Sequence, residues 1–145
     1  MKHLNLPPVW LAAFIAAAFG MAEFSAPFGD TLAWPGWILI GAGIALAAWS
    51  AVAFRKARTS IVPHRSPSAL VDTGPYRFSR NPIYLADLVI LAGAALILGA
   101  PLALILLVPF QQVLLRLFVL PEEALLTREL GRPYLAFTKR VRRWL

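Results

Sequence analysis

Four long apolar runs dominate this chain and limit what it can fold into. They cover about residues 8–28, 35–54, 82–99 and 101–120. An α-helix needs about 20 mostly apolar residues to cross the hydrocarbon of a bilayer, and each run is close to that length. Hydrophobic residues make up 59% of the 145 residues and charged residues only 14%, which is unlike a soluble domain. The sequence therefore predicts one all-α membrane domain with four transmembrane helices.

The basic residues are concentrated in two segments. Of the 14 Lys and Arg residues, six lie between the second and third runs and six follow the fourth, while residues 29–34 and 99–100 contain none. By the positive-inside rule, both termini and the long middle loop are predicted to be cytoplasmic, in what we expect to be a bacterial inner membrane. Topology and attraction to membrane lipids then explain the net charge of +7, and no nucleic-acid partner is expected.

Several kinds of site are excluded by what the sequence lacks. The chain has no cysteine and only two histidines, His3 and His64, so neither a disulfide framework nor a metal site is expected. No Gly-x-Gly-x-x-Gly motif follows a predicted strand, which excludes a Rossmann cofactor site. Lys2 and the apolar run after it resemble a signal peptide, but its removal would place the basic middle loop outside. A retained first span is the simpler interpretation.

The spacing of the runs also predicts how the helices pack. Only Gly99 and Ala100 separate the third and fourth runs, so these form a tight antiparallel hairpin. The second run is rich in Gly and Ala, which let helices approach closely in lipid. Asp87 and Arg116 are the charged residues within the hairpin. Because unpaired charges in lipid are costly, we predict that Asp87 faces Gln112 and Arg116.

Polar residues return after the fourth run. Pro121 is predicted to open a short helix that carries Glu122 and Glu123 in its first turn and ends at Gly131. Pro133 then begins a last helix with an apolar face opposite a basic one, which is typical of a helix lying on the inner membrane surface. Its apolar face consists of Tyr134, Phe137, Val141 and Trp144.

Two polar segments, about residues 59–84 and 121–143, are predicted to meet on one side of the membrane. The hairpin returns the start of the third span and the end of the fourth to the same side. Tyr76, Tyr84 and Tyr134 would then converge with the acids at 122 and 123. The alternative is that these polar residues are merely solvated loops, which explains the basic residues near position 56 better than it explains the tyrosines and acids.

The order of these residues resembles a family of membrane methyltransferases. The pattern consists of Gly74-Pro75-Tyr76-Arg77, Arg80-Asn81-Pro82-Ile83-Tyr84, a helical hairpin, Glu122-Glu123, and Leu130-Gly131 followed by Tyr134. It is similar to the isoprenylcysteine carboxyl methyltransferase and phospholipid methyltransferase group, over roughly residues 59–143. The resemblance implies a helical membrane enzyme that uses S-adenosylmethionine to methylate a lipidic or prenylated acceptor.

The resemblance also implies the site residues. The residues expected to bind the cofactor are Ser68, Ala69, Leu70, Val71, Tyr76, Asn81, Pro82, Ile83, Tyr84, Glu122, Glu123 and Tyr134. Glu123 is the weaker of the two acids, since one member of an adjacent pair on a helix usually faces solvent. Arg80 and Arg116 are the catalytic candidates, because an arginine can orient an anionic acceptor.

Two departures from the family pattern leave the acceptor open. Asn81 stands where the family usually has histidine, so an imidazole base is not available there. Phe118 lies near the position at which the carboxyl methyltransferases have an arginine. An isoprenylcysteine-like carboxylate is the first candidate acceptor. A phospholipid or small amphiphile is the second, and a non-catalytic scaffold that keeps the fold is the third.

Overall fold

The computed structural model describes residues 6–24, 29–58 and 69–145, which form helices and no strand. The helices are α1 (Pro7–Ala22), α2 (Ala33–Lys56), α3 (Pro82–Ile97), α4 (Pro101–Leu130) and α5 (Arg132–Arg140). Short 3₁₀ turns at Gly29–Leu32 and Gly74–Arg77 precede α2 and α3. The all-α prediction is confirmed.

Two of these helices are long and apolar enough to cross a membrane. They are α2, with 24 residues, and α4, with 30. The apolar helices α1 and α3 have 16 residues each. At 1.5 Å per residue, 16 residues extend about 24 Å, which is less than the hydrocarbon thickness of about 30 Å. Spanning by α1 and α3 therefore stays a prediction.

Helices α2 and α3 pack antiparallel through their smallest residues. A Cβ atom on Gly36 would lie 2.7 Å from the Gly93 carbonyl oxygen, and one on Gly43 would lie 3.0 Å from the Ala86 carbonyl oxygen. The two backbones can be this close only because glycine has no side chain. The prediction that small residues of the second run form a packing surface is confirmed for Gly43, Ser50 and Ala53, which are buried, but not for Gly41, Ala45 and Ala48, which are exposed.

The turn between α3 and α4 is as short as the sequence predicted. Leu98 caps α3, and Gly99 adopts a φ of +64° before α4 begins at Pro101. A positive φ is unstrained in glycine, which explains this residue at the reversal. Although α3 and α4 form this hairpin, α3 makes its most extensive contact with α2.

Helix α4 continues beyond the predicted end of the fourth apolar run. It begins with a 3₁₀ segment (Pro101–Leu106), is α-helical over Leu107–Leu114, has a π-helical turn at Leu115–Val119, and is α-helical again over Leu120–Leu130. Pro121 has no N–H to donate, and the π turn lies directly before it. We predicted a separate short helix at this proline; instead, both acids lie on the continuous helix. Gly131, with a φ of +56°, ends the helix as predicted.

The predicted Asp87–Arg116 contact is wrong. The core side chains Phe110, Leu114 and Phe118 follow one another at every fourth residue of α4 and are completely buried. Arg116 lies two residues from its neighbours in this series, on the opposite side of the helix, and is exposed. Asp87 forms no ion pair within the described residues. The prediction compared positions along the hairpin and did not consider the rotation of α4 about its axis.

The apolar face of α5 is covered by protein. Tyr134 and Phe137 are 2% and 3% exposed, and they form a cluster with Val141. Leu70, Leu126 and Leu130 pack against this cluster. We predicted that this face would lie on the membrane surface. It instead fastens α5 to α4 and to the segment before α3.

Candidate functional site

The approach to α3 is a tight turn held against the end of α2. Gly74 has a φ of +60°, and a Cβ atom on it would lie 3.1 Å from the Trp49 indole nitrogen. Pro75 and Tyr76 are buried directly after it. The Tyr76 ring meets Phe54 edge to face, with ring centroids 5.4 Å apart. The Gly-Pro-Tyr motif therefore places one buried tyrosine beside the start of α3.

A hydrogen bond joins the first turn of α3 to α4. The Tyr84 hydroxyl donates to Oε1 of Glu122 over 2.7 Å. The two residues are 38 positions apart in the chain, and they belong to the two motif blocks that were predicted to converge. Tyr84 itself is buried in a cluster with Phe110, Leu114 and Phe118. The aromatic core thus fixes the tyrosine, and the tyrosine orients the carboxylate.

The adjacent acids Glu122 and Glu123 have different surroundings. Glu123 receives three contacts from two arginines. Nη1 of Arg80 lies 3.0 Å from Oε1, and Nε and Nη2 of Arg143 lie 3.0 and 2.7 Å from Oε1 and Oε2. Glu122 has no arginine or lysine partner within the described residues. The structure therefore leaves one of the two carboxylates without a neutralising cation.

Tyr76 lies close enough to Glu122 for the two groups to interact electrostatically. Burial of the phenol, and then the negative charge of Glu122, raise the pKa of Tyr76 well above its ordinary value. The phenol is therefore neutral at physiological pH. Tyr76 can donate a hydrogen bond or present its ring to a cation, but it is not a base.

The segment after α5 covers the start of α3. The Arg80 N–H donates to the Arg142 carbonyl over 2.9 Å. The Asn81 amide and the Ser79 hydroxyl both donate to the Arg143 carbonyl, over 3.0 and 3.3 Å. The Asn81 side chain therefore serves as a hydrogen-bond donor to the backbone at Arg143. As an amide, it cannot act as an acid or a base.

Arg80 and Tyr134 lie in the same corner. Burial and the charge of Glu123 raise the pKa of Tyr134, while the neighbouring guanidinium of Arg80 lowers it by a smaller amount. The hydrogen bonds to Glu123 raise the pKa of Arg143. The Nε of Arg80 is buried and has no hydrogen-bond partner within the described residues. The Arg80 Nε–H can therefore donate to a further acceptor, while Nη1 of the same guanidinium pairs with Glu123.

A cleft opens between the end of α2 and the segment that leads to Gly74. Its volume is about 480 Å³, and Trp49, Lys56, Leu70, Asp72 and Thr73 are among the residues that line it. Its lining combines aromatic and aliphatic side chains with charged and hydroxyl groups. The cleft is of a size that small-molecule sites have, and Gly74 joins it to the Tyr76 turn.

The structure brings together part of the predicted site. Tyr76, Tyr84 and Glu122 form one group, and Arg80, Asn81, Glu123 and Tyr134 form a second, which contacts residues 141–144. Leu70, Val71 and Pro82 support these groups: Val71 packs with Tyr76, Leu70 packs with Tyr134, and Pro82 is fully buried. Ala69 and Ile83 are half-buried, with no hydrogen bond or ion pair to the two groups. Ser68 lies outside the described residues.

Two arginines differ from expectation. Arg116 lies on the exposed side of α4, away from Tyr84, so the structure does not bring it to the other candidates. Arg143 was missed as a site residue, because in the sequence it is one of several basic residues in a row. The feature that distinguishes it is its position one residue before Trp144, which packs on the core cluster around Tyr84. The predicted catalytic roles of Arg80 and Arg116 stay predictions.

Comparison with known proteins identifies the family. A family model described as phospholipid methyltransferase matches residues 32–132, which is more than half of the chain. This chain belongs to the phospholipid methyltransferase family. Comparisons with curated proteins and with solved structures gave no match.

The matched region of the phospholipid methyltransferase family contains most of the site. It includes α2, α3 and α4, and therefore both partners of the Tyr84–Glu122 hydrogen bond. Family membership implies methyltransferase activity of a membrane enzyme. The match excludes α1, and it also excludes Tyr134 and Arg143. The contacts of the last residues with Glu123 and Asn81 are therefore observations on this chain and not consequences of the family match.

Proposed function

We propose that this protein transfers a methyl group from S-adenosylmethionine to a lipidic acceptor at the cytoplasmic boundary of the membrane. The observation that carries the proposal is the hydrogen bond of 2.7 Å between Tyr84 and Glu122. It orients a carboxylate that has no neutralising cation of its own among the described residues. A partly buried carboxylate without a cation is costly unless it takes up a proton or a ligand supplies the missing positive charge, and a cationic ligand would favour the ionised form.

The chemistry of the donor fits the groups that are present. The donor's amino-acid part carries an ammonium and a carboxylate. Glu122 would hold the ammonium, and the unpartnered Nε of Arg80 would donate to an anionic group. The neutral ring of Tyr76 lies near Glu122, where it would favour a cation through its π face. When bound, S-adenosylmethionine supplies a methyl group activated by a positively charged sulfur.

The role of the chain in this reaction is to position the reactants. Tyr84 fixes the direction of the Glu122 carboxylate, and Arg80, which pairs with the adjacent Glu123, offers a further hydrogen-bond donor. Neither Asn81 nor the neutral Tyr76 can remove a proton. Holding two reactants in line is itself a large part of catalysis when no proton has to move. With Glu122 assigned to the donor's ammonium, no base remains among these residues, which favours an acceptor that is nucleophilic without one, such as a lipid carboxylate of the isoprenylcysteine type.

A second acceptor class is a phospholipid or other amphiphile with an amine head group. The fully buried Phe118 favours this class, because it stands near the place where the carboxyl methyltransferases have an arginine. Incubating the protein with labelled methyl donor separates the two classes. A prenylated cysteine analogue tests the carboxylate, and vesicles of phosphatidylethanolamine test the amine.

The donor site is tested with S-adenosylhomocysteine, the demethylated product, titrated into detergent-solubilised protein. We expect the parent to bind, and Glu122→Gln to bind at least about tenfold more weakly, since a charge-assisted hydrogen bond is lost. The matched control is Glu129→Gln, which changes an exposed acid paired with Arg128 on the same helix. Equal affinity of the parent and Glu122→Gln would contradict this site. Equal weakening by Glu129→Gln would show a general charge effect instead.

We also propose that both termini and the segment from residue 69 to residue 81 face the cytoplasm, with α1 and α3 as further spans. The distribution of Lys and Arg supports this orientation. Cysteines introduced at Arg77 and at Thr31 should be labelled by a membrane-impermeant thiol reagent from opposite sides. Labelling of Arg77→Cys in intact cells would contradict the orientation and the use of a cytosolic donor.

A further inference from the structure

Residues 141–144 contact both the start of α3 and the turn of α4 that carries Glu122 and Glu123. Arg143 bridges to Glu123, the neighbour of Glu122 on α4. The Arg143 carbonyl accepts from Asn81, which caps α3 three residues before Tyr84. The Arg142 carbonyl accepts from the backbone of Arg80. One short segment is thus bonded to a neighbour of each partner in the Tyr84–Glu122 pair.

Apolar contacts also hold residues 141–144 in place. Trp144 packs against the buried cluster that contains Tyr84 and Phe118. Val141 is 8% exposed and packs with Tyr134 and Phe137. The segment is therefore fixed at both ends by apolar contacts, and its polar contacts lie between them.

We propose that residues 141–144 form a latch that sets the distance between Tyr84 and Glu122, with Arg143 and Asn81 as its positioning residues. This inference rests on the proposed function, because the latch serves to prepare the site for the donor. Neither residue touches the donor. Arg143 fixes the turn of α4 that carries Glu122, and Asn81 fixes the turn of α3 that carries Tyr84.

The latch explains two features of the site. The Glu123 side chain is 15% exposed, and both of its oxygens are paired with Arg80 or Arg143. In this proposal Glu123 therefore stabilises the latch, and Glu122 binds the ligand. Asn81 needs only a neutral donor at its δ position, because its partner is a backbone carbonyl. An amide provides that donor at every physiological pH.

The test compares Arg143→Gln with Arg142→Gln in full-length, detergent-solubilised protein. The Arg142 side chain is exposed, and only its backbone carbonyl takes part, which the substitution keeps. We expect Arg143→Gln to bind S-adenosylhomocysteine about tenfold more weakly, and Arg142→Gln to bind like the parent. In a double-mutant cycle, Arg143→Gln should have little further effect in Glu123→Gln.

Asn81 provides a second, independent variant if Arg143→Gln does not fold. Asn81→Ala removes the donor to the Arg143 carbonyl and should weaken binding. Asn81→His should restore it, because Nδ1 of histidine is separated from Cα by the same number of bonds as Nδ2 of asparagine. A purely structural contribution would lower the unfolding temperature of Asn81→Ala but would leave its affinity unchanged at temperatures where it is folded.

Amide hydrogen exchange, read by mass spectrometry on peptides covering residues 79–86, tests the latch without any donor. Arg143→Gln should exchange about tenfold faster there than Arg142→Gln. Faster exchange with unchanged donor affinity would overturn the positioning role, and unchanged exchange would overturn the latch itself. If the parent protein bound no donor, the proposed function would be wrong, and so would the role of the latch in donor binding. The exchange rates would still show whether the latch holds the start of α3 in place.

Discussion

The middle of the helix bundle and its motif end, formed by residues 74–84, 122–123 and 141–144, are held together in different ways. In the middle, α2 and α3 touch through glycines, with the Gly93 carbonyl only 2.7 Å from where a Cβ atom of Gly36 would be. At the motif end, Arg80, Arg143 and Glu123 are joined by ion pairs and hydrogen bonds.

The difference follows from what each region must do. Close packing of small residues needs no polar group, so it can hold two helices together whether water or lipid surrounds them. Ligand binding needs polar groups held at fixed positions, which requires partners for each of them. A substitution in the middle should therefore affect stability, and one at the motif end should affect binding more than stability. The predictions that follow test this division, from the largest expected effect to the smallest.

The largest effect is expected from Gly36→Ala. The new methyl group would meet the backbone of α3, which can move away only if the two helices separate. We expect a loss of about 2 to 3 kcal/mol in the free energy of unfolding, measured by denaturant titration in detergent. Gly41→Ala on the same helix is the control, because a Cβ atom at Gly41 would have no neighbouring atom within 4 Å. Equal stability of the two variants would contradict the close α2–α3 contact.

Glu123→Gln should have the next largest effect. It leaves Arg80 and Arg143 without their carboxylate, although Arg143 is partly exposed to water. We expect a loss of about 1 to 2 kcal/mol in unfolding free energy, together with weaker binding of S-adenosylhomocysteine. A variant of parental stability and affinity would show that the cluster around Glu123 contributes nothing.

Tyr84→Phe should weaken donor binding by about fivefold, since it removes one hydrogen bond to Glu122 and keeps the aromatic ring. The ring still packs against Phe118, so the unfolding temperature should stay close to that of the parent. Calorimetric titration and thermal unfolding measure the two quantities on the same sample. A large fall in stability without a change in affinity would contradict the expectation that substitutions at the motif end affect binding more than stability.

The smallest effect is expected from Arg140→Gln. Its ion pair with Asp72 has a separation of 3.7 Å between two side chains that are 68% and 44% exposed. Surface pairs of this kind contribute less than about 1 kcal/mol. Neither unfolding nor donor binding should change measurably. A marked loss of affinity in this variant would extend the donor site toward the cleft that contains Asp72.

The helices and much of the site could be predicted from the sequence because their determinants are local. Runs of apolar residues, Gly99 at the turn and Gly131 at a helix end each act through neighbouring residues. That Tyr84 and Glu122 would converge, together with Tyr76, Tyr134 and Glu123, was predicted from the hairpin and from the order of the motifs. The pattern does not identify the side of α4 that faces α3, which is why Arg116 was placed incorrectly.

The remaining contacts depend on several segments at once. Glu123 pairs with Arg80 before α3 and with Arg143 near the end of the chain, so its surroundings depend on two segments that are distant in sequence. Packing of Phe137 and Trp144 helps to hold the second of these segments in place. The apolar face of α5 has the same pattern whether it lies on lipid or on protein. Only the presence of Leu126 and Leu130 opposite it decides between the two.

The continuity of α4 has a consequence for how this protein would respond to its lipids. Thirty residues extend about 45 Å, whereas the hydrocarbon of a bilayer is about 30 Å thick. Since the helix is not interrupted at Pro121, Glu122 lies on the same continuous helix whose apolar part is long enough to cross a bilayer. In a thicker bilayer this carboxylate would be drawn toward hydrocarbon, and in a thinner one it would stand among the head groups. Acyl-chain length alone would then set the depth of the Tyr84–Glu122 pair.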